Sequence, residues 1–350
     1  MIAAMNVKNV FVYEHIAGGG MADETMPMSL RVEGMAMLSA VIADLADIPG
    51  LSVTTTLDER LVDQRPAGAQ VTLVRPGELN SMLEQQAGRC DVTIVIAPEL
   101  EGLLAGLVQR LETVGITTAG STSAAVALTT DKLETARRLT AAGVPTIPTE
   151  RLAEPITPPA DADLPVVLKP RRGAGSAHTY LITEAAALRP CLNQAREEGL
   201  TDEVIRQPFC PGLATSIALL VGPNQTLSLR PTTQRLSNDG RFRYHGGDMP
   251  LAPEMDQRAI ALGRRAVAAI DGLRGYVGID MILGDAADGS EDVVVEINPR
   301  MTTSYVGHRS MTPENVAEMW LEIAAGVEVE PPEMYNHSVR FTCDGRVRLS

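Results

Sequence analysis

The 350-residue chain is poor in aromatic side chains and in long apolar runs. Phe, Trp and Tyr make up 3% of its residues, which argues against a surface that binds nucleic acid by base stacking. No apolar run approaches the roughly 20 residues needed to span a bilayer, so we expect no membrane partner. Met1–Val12 has one lysine and no long apolar stretch, so we also expect no secretory signal.

Cysteines and basic residues are also scarce. The four cysteines, Cys90, Cys191, Cys210 and Cys343, are far apart and form no Cys-x-x-Cys pair. This spacing argues against a zinc site or a disulfide framework and predicts buried thiols in a cytoplasmic protein. The formal charge of −14 argues against nucleic acid or an anionic membrane as a partner. An anionic ligand would therefore need a local basic cluster.

Two common nucleotide-binding motifs are missing. The chain has no Gly-Lys-Ser/Thr P-loop, and the Gly-x-Gly-x-x-Gly pattern that starts at Gly18 fails at Asp23. The predicted strand Val7–Tyr13 nevertheless leads into Glu14 and the run Gly18-Gly19-Gly20. Such glycines allow a backbone to approach a ligand closely. Glu14 could bind a substrate amine, and a mobile surface loop is an equally good interpretation.

Strand and helix patterns alternate over roughly the first 118 residues. The predicted strands are Ser52–Leu57, Ala69–Val74 and Asp91–Ala97, and Leu103–Val114 reads as a helix. This alternation predicts a small doubly wound α/β domain.

A hairpin over Gly275–Ser304 carries the most informative polar residues. Two apolar β-branched runs flank a Gly- and Asp-rich turn, which is typical of a hairpin. Glu296 and Asn298 share one face of the second strand, and a turn centred near Asp288 brings Asp280 opposite Glu296. Burying two carboxylates without a partner is costly, and oxygen ligands suit Mg²⁺. The alternative is an edge hairpin whose polar residues face solvent.

A basic, glycine-containing loop follows the predicted strand Val166–Pro170. Lys169 ends that strand, and Arg171-Arg172-Gly173-Ala174-Gly175-Ser176 follows it. Three cations and free backbone N–H groups predict a loop that closes over phosphates, with an ordinary basic surface turn as the alternative. Lys132 lies in the first turn of another predicted helix, where an anion-binding lysine and a solvated lysine are equally consistent with the sequence.

The remaining patterns predict further strands. Glu203–Pro208 and Ala214–Val221 are interpreted as parts of one sheet, and Thr226–Thr233 starts a hairpin. His245 is placed on a loop after this hairpin and is assigned no chemistry. We find no Ser-His-Asp arrangement and no nucleophilic cysteine.

In this order, the motifs resemble those of the ATP-grasp ligases over residues 121–309. The matching pieces are Lys132, the Val-Val-Leu-Lys-Pro-Arg-Arg-Gly-Ala-Gly-Ser stretch, a Gln-Pro-Phe hinge and the Asp … Glu-x-Asn-Pro-Arg hairpin. The resemblance implies an α/β fold, α+β in the ATP-binding part, with a Rossmann-like pre-ATP-grasp domain first. It implies domains at 1–118, 119–202 (central small subdomain) and 203–350 (C-terminal subdomain with the metal site).

The resemblance also implies roles for individual residues. Lys132 and Lys169 would bind ATP phosphates, and Arg300, with Lys169, would act on the transferred phosphate. The remaining assignments cover the loop, the hinge and the cation site: Gly173, Gly175, Ser176, Gln207 and Phe209 for ATP, and Asp280, Glu296 and Asn298 for Mg²⁺ or Mn²⁺. Family members often have acids where this chain has Gln207 and either Ala214 or Ser216, so the ribose contact stays open.

Within the family, the chain is similar to the ligases that join tyramine to glutamate in methanofuran biosynthesis. The stretches Val-Tyr-Glu-His-Ile-Ala-Gly-Gly-Gly and Glu-Gly-Met-Ala-Met-Leu carry this similarity, as does Glu-Ile-Asn-Pro-Arg-Met-Thr-Thr-Ser. It implies glutamate and an amine, tyramine or tyrosine, as substrates, and Glu14, Gly19, Thr303 and Ser304 as substrate residues. A D-alanine-like or polyglutamate ligase and a non-catalytic ATP-binding regulator are the alternatives. A homodimer is also left open.

Overall fold

The N-terminal part of the computed structural model, which describes residues 7–152, 156 and 159–350, is a parallel sheet. Strands β1 (Asn9–Glu14), β2 (Ser52–Asp58), β3 (Ala69–Val74) and β4 (Val92–Ile96) lie in the order β3-β2-β1-β4. The helices of this part are α1 (Met28–Ala46), α2 (Leu79–Ala87) and α3 (Leu103–Thr113). Parallel neighbours need crossover connections: α1 joins β1 to β2, and the 3-10 helix Glu59–Gln64 lies between β2 and β3. Helix α2 carries the chain from β3 to β4 at the other edge of the sheet. The predicted α/β domain is therefore confirmed.

A small antiparallel sheet follows. Its strands are β5 (Glu150–Arg151), β6 (Val166–Pro170), β7 (Tyr180–Ile182) and β8 (Val204–Pro208), in the order β5-β8-β6-β7. Helix α6 (Leu188–Glu197) packs its apolar residues against this sheet. Residues 153–155 and 157–158, between β5 and β6, lie outside the described residues. Because β8 pairs with β6, it does not share a sheet with the strand that follows it, and the small sheet extends beyond the boundary expected at residue 202.

The third sheet is large and antiparallel. Its order is β14-β13-β9-β11-β12-β15-β16, with β10 paired to β9. Its strands are β9 (Leu213–Val221), β10 (Thr226–Ser228), β11 (Thr232–Leu236), β12 (Tyr244–Met249), β13 (Gly275–Leu283), β14 (Val293–Asn298), β15 (Val339–Phe341) and β16 (Val347–Leu349). Helices of this part are α4 (Ser123–Thr130), α5 (Lys132–Ala141), α7 (Pro253–Ala268), α8 (Tyr305–His308) and α9 (Val316–Ala324).

Two local predictions for this sheet were wrong. The run Thr226–Thr233 is two strands, because Pro231 has no N–H to donate to a ladder. His245 lies in strand β12, where Gly247 pairs with Phe341 of the distant strand β15. The same strand also pairs with β11, where Gln234 lies opposite Gly247. Gly246 and Gly247 conceal this strand in the sequence, because glycine is depleted in strands.

One apolar core joins the parallel sheet to the large antiparallel sheet. Leu38 and Val41 of α1 belong to the same buried cluster as Tyr276 of β13 and Trp320 of α9. The indole N–H of Trp320 donates to the carbonyl of Ala119 at 2.7 Å. Among the described residues, no helix combines the length and apolarity needed to cross a bilayer.

Candidate functional site

The site is built around the hairpin of β13 and β14. Asp280 pairs directly with Glu296, and Gly278 pairs with Asn298, so the three polar side chains converge on one face. The Asn298 amide donates to Asp280 Oδ2 at 3.2 Å, and the Gln234 amide donates to Oδ1 at 2.9 Å. The pKa of Asp280 is raised to about 6. Burial is the larger cause, and the negative charge of Glu296 is the second.

The hairpin therefore holds two carboxylates close together in a place with little access to bulk water. The described residues contain no group of three or more His, Cys, Asp or Glu side chains placed to hold a metal. Two carboxylates and an amide oxygen are instead a small, all-oxygen set. Such a set fits a Mg²⁺ ion that takes further ligands from phosphates and water.

Two lysines approach the hairpin from separate elements. Lys169 ends strand β6 and is buried, which lowers the pKa of its ammonium to about 8, although Glu296 opposes this shift. Lys132 begins α5, and its Nζ lies 3.6 Å from Glu296 Oε2. The same Nζ donates to the carbonyl of Gly173 at 2.7 Å. Lys132 therefore contacts both the β13–β14 hairpin and the glycine loop.

The glycine loop is anchored by carboxylates. Arg171 donates to Asp131 and to Glu203, with distances of 2.7 Å from the guanidinium nitrogens to both carboxylates. The Arg172 guanidinium also pairs with Asp131, at 3.1 Å. Both arginines thus pair with carboxylates, and of the three cations in the phosphate prediction Lys169 is the one that this pairing does not involve. Contact with phosphates stays a prediction.

The loop nevertheless faces a cavity. Gly175 and Ser176 line it, together with Lys169, Asp280 and Glu296, and its volume is about 270 Å³. Gly173 and Gly175 have φ values of +143° and +66°, which residues with side chains adopt at a cost. Gly173 contributes through its carbonyl contact with Lys132.

The opposite end of this cavity is apolar. Val167, Ile282 and Phe209 line it, and Phe209 stacks on Phe242 with ring centroids 6.3 Å apart. Gln207 is buried, and its amide donates to Thr149 Oγ1 at 2.8 Å. Ala214 and Ser216 also line the cavity, at the position where the sequence left the ribose contact open. A flat apolar slot beside a polar, cation-binding end suits a nucleotide.

A further part of the cavity is lined by polar groups from both the N-terminal and the C-terminal part of the chain. Arg300 Nη2 donates to Glu99 Oε2 at 2.7 Å, and Thr303 Oγ1 donates to a carboxylate oxygen of Glu33. Ser304 shares a hydrogen bond with Thr302 at 2.8 Å. Arg300, Thr303, Ser304 and Glu33 all line the cavity. An acceptor substrate could meet one cation and one carboxylate there.

Two predicted substrate residues lie elsewhere. Glu14 is buried and accepts the N–H of Ala17 at 2.6 Å, and burial raises its pKa to about 7. Gly19 sits in a buried turn, where a Cβ would come within 2.6 Å of Val74. The triple glycine thus serves packing inside the N-terminal sheet, and neither Glu14 nor Gly19 lines the cavity described above. The prediction of direct substrate contact by these two residues is not supported by their positions.

Sequence reasoning missed Glu33 and Glu99. Glu99 follows the end of β4, and ligands of parallel sheets bind at the carboxyl ends of strands, so its position carried a usable signal. Glu33 precedes Gly34 in α1, where a Cβ would come within 2.6 Å of Glu14 Oε2. A glycine inside an amphipathic helix is a sign of such a close approach.

Comparison with known proteins gives consistent matches. A family model described as an ATP-grasp domain matches residues 129–304, and one described as a pre ATP-grasp 3 domain matches residues 51–126. The chain is 24% identical to tyramine–L-glutamate ligase of Methanocaldococcus fervens, over 91% of this chain and 95% of that protein. It is 30% identical to D-alanine–D-alanine ligase of Desulforudis audaxviator, over 69% of this chain and 76% of that protein.

Among solved structures, an ATP-grasp superfamily protein from Archaeoglobus fulgidus superposes with a TM-score of 0.68. It is 26% identical to this chain, and the match covers 95% of this chain and 92% of that one.

Proposed function

We propose that this chain, which belongs to the ATP-grasp family and is an ATP-dependent carboxylate–amine ligase, joins glutamate to tyramine or tyrosine. The observation that carries the proposal is one cavity lined by an acidic hairpin, a buried lysine and a separate carboxylate, Glu33. The match to tyramine–L-glutamate ligase over nine-tenths of both chains supports this substrate pair and a role in methanofuran-type biosynthesis. The cytoplasmic location predicted from the dispersed cysteines is part of the proposal.

We assign the cation site to Asp280, Glu296 and Asn298. The raised pKa of Asp280 supports this assignment, because a bound cation would remove the repulsion between the two carboxylates. Their oxygen chemistry fits Mg²⁺, and Mn²⁺ accepts the same ligands. A cation held by these three residues would supply charge neutralisation at the terminal phosphates of ATP.

We assign Lys132 and Lys169 to the phosphates of ATP. Gly173, Gly175 and Ser176 would cover the phosphates with backbone N–H groups, as expected for a loop with positive φ values. The purine would occupy the slot beside Gln207 and Phe209, whose apolar walls bury a flat ring.

In the proposed reaction, an oxygen of the glutamate carboxylate attacks the γ-phosphorus while the bond to ADP breaks. Arg300 neutralises the acyl-phosphate that forms. The amine then attacks the acyl carbon, and phosphate leaves with the bonding electron pair. Glu33 holds the amine and receives the proton that it loses. No protein nucleophile is needed, because ATP activates the carboxylate.

An ADP-release assay with product mass tests this function. Glutamate with tyramine or tyrosine should give ADP, phosphate and the mass of the joined amide in the wild-type protein. The Glu296→Gln variant should lose at least about a hundredfold in kcat, a typical loss for a group that stabilises transition-state charge. Glu33→Gln should raise the KM for the amine and also lower kcat, because the amide cannot receive the proton, while the KM for ATP should stay near the wild-type value.

Glu59, which pairs with Arg75 beside the parallel sheet and does not line the cavity, offers a matched control. Glu59→Gln should retain wild-type rates. Full turnover by Glu296→Gln would refute the metal assignment, and absence of the amide from every glutamate–amine pair would refute the substrate assignment.

A second candidate is a ligase that joins two amino acids. The 30% identity to D-alanine–D-alanine ligase favours it, because this relative is more similar in sequence although it covers less of the chain. Product mass from a mixture of ATP, D-alanine, glutamate and tyramine separates the two candidates and also detects glutamate polymers. ATP binding without ADP formation in any mixture would favour the non-catalytic regulator.

A further inference from the structure

A second cavity, of about 580 Å³, adjoins the cavity of the candidate site, and Tyr244 lines both. The neighbouring residues Val32 and Glu33 of α1 also divide between them. Val32 lines the second cavity and Glu33 lines the first. The start of α1 and Tyr244 therefore form the partition between the two spaces.

Four arginines line the second cavity, which we call the arginine groove: Arg235, Arg340, Arg346 and Arg348. Arg340 and Arg348 stand directly opposite each other on the antiparallel strands β15 and β16. Arg346 lies two residues before Arg348, so it shares the same face. Like charges directly opposite in a ladder are destabilising, so this face favours a ligand of opposite charge.

The carboxylates nearby neutralise only part of this charge. Asp248 accepts a hydrogen bond from Arg340 at 2.5 Å and lies 3.5 Å from the Nε of Arg235. Asp344 pairs with Arg346. Arg348 makes no side-chain hydrogen bond or ion pair with another described residue. Four guanidiniums thus face two carboxylates, although the whole chain carries a formal charge of −14.

Glu33 lies close enough to the arginine groove for its negative charge to act on a residue there. Cys343 lines the groove, and burial, followed by the negative charge of Glu33, raises the pKa of its thiol to about 12. Glu33 also accepts the hydroxyl of Thr303 in the first cavity. Glu33 is therefore close to both spaces.

We propose that the arginine groove binds carboxylates of the acceptor amine, whose amino group is held at Glu33. The acceptor class is then an amino acid or a glutamyl peptide, since guanidiniums pair well with carboxylates and Glu33 suits a cationic amine. This inference rests on the proposed ligase function, and it favours tyrosine or a glutamyl acceptor over tyramine, which has no carboxylate.

The test compares three acceptors, tyramine, tyrosine and γ-glutamyl-glutamate, in the wild-type protein and in the Arg340→Gln/Arg348→Gln double variant. In the wild type, the KM should fall from tyramine to the two carboxylate-bearing acceptors, and this preference should weaken with salt. In the double variant, the KM for tyrosine and for the dipeptide should rise about fivefold, which corresponds to the upper end of what one exposed charge pair contributes.

The KM values for tyramine and ATP should stay unchanged in the double variant. The matched control is Arg75→Gln, an exposed arginine on the parallel sheet that pairs with Glu59. This variant should leave the KM values for all three acceptors at their wild-type values. Equal effects of the double variant on tyramine and tyrosine, or no effect on either, would overturn the proposal.

A different outcome marks failure of the proposed function. If the wild-type protein releases no ADP with any acceptor, calorimetric binding of the same three compounds to the protein with Mg²⁺ and a non-hydrolysable ATP analogue decides the matter. Tighter binding of tyrosine and the dipeptide that is lost in the double variant supports the groove assignment. Binding that does not depend on the carboxylate or on the two arginines overturns it.

Discussion

Glu14 and Glu33 are carboxylates near the part of the cavity that Arg300 and Thr303 line, and their environments differ. Glu33 lines the cavity and meets the hydroxyl of Thr303, whereas Glu14 is buried under Gly34. Burial raises the pKa of Glu14 to about 7, and the charge of Glu33 adds to this shift. Glu14 is therefore a buried residue beside the site, and it holds its proton more readily than a surface carboxylate does.

Replacing Glu14 by Gln should remove one pH-dependent contribution to stability. The folded pKa, about 7, lies above the usual value near 4.5, so the folded state binds the extra proton between these values. The stability contribution of Glu14 is therefore present below pH 4.5 and is lost as the pH rises through 7. Between pH 5 and pH 8, Glu14→Gln should gain on the order of 3 kcal/mol relative to wild type.

Denaturant unfolding of both proteins at several pH values measures this difference. Asp91, which accepts backbone N–H groups at the surface, provides a control position. Asp91→Asn should not reproduce the change between pH 5 and pH 8, because its pKa is lowered rather than raised. A constant stability difference between Glu14→Gln and wild type over this range would contradict the burial argument.

At the scale of elements, Asp131 joins helix α5 to the glycine loop. It caps α5 by accepting the N–H groups of Leu133 and Glu134, and it pairs with Arg171 and Arg172. The position of Lys132, the next residue, depends on this cap. The helix start and the loop are thus held as one unit.

Asp131→Ala should weaken both elements together. It removes a helix cap and takes one carboxylate partner from each of two guanidiniums, which should lower the free energy of unfolding by about 2–4 kcal/mol. The KM for ATP should rise, because Lys132 and the loop lose their common anchor. Asp131→Asn, which keeps the capping oxygen, should recover more of the stability than of the ATP affinity. Equal recovery of both would show that the charge of Asp131 does not position the loop.

The sequence predicted the hairpin of β13 and β14 because its register follows from local information. A turn centred near Asp288 was enough to place Asp280 opposite Glu296, as the strands pair. The order of the motifs along the chain was also specific enough to indicate the ATP-grasp fold.

Contacts between distant residues were not predictable in this way. Arg300 and Glu99 are 201 residues apart, and Thr303 and Glu33 are 270 apart. The burial of the triple glycine depends on Val74, which belongs to another strand. Composition did carry one unused signal: only three of the 30 basic residues are lysines, and two of these are Lys132 and Lys169.

At the scale of the whole molecule, the parallel sheet and the ATP-binding part share a core and a buried polar contact. Asp44 of α1 accepts the hydroxyl of Tyr305 at 2.5 Å and pairs with Arg309. Trp320, the single tryptophan, lies in the shared apolar cluster. These contacts predict that the two parts unfold together.

Asp44→Ala should destabilise the entire chain by about 2–4 kcal/mol, because it leaves a partly buried guanidinium and a buried hydroxyl unpaired. Trp320 fluorescence, which reports the shared core, and far-ultraviolet circular dichroism, which reports all elements, should shift to the same lower denaturant midpoint. Asp63→Ala, at an exposed position of the N-terminal part, serves as the control. Two separated transitions would contradict a shared core.

Transfer of an oxygen atom from glutamate to phosphate tests the central claim most directly. The measurement uses glutamate whose carboxylate oxygens carry a heavy isotope, with ATP, Mg²⁺ and the acceptor amine. An acyl-phosphate route predicts one heavy oxygen in the released phosphate for each amide formed. Amide formation without heavy oxygen in phosphate, or with the label in AMP, would contradict it.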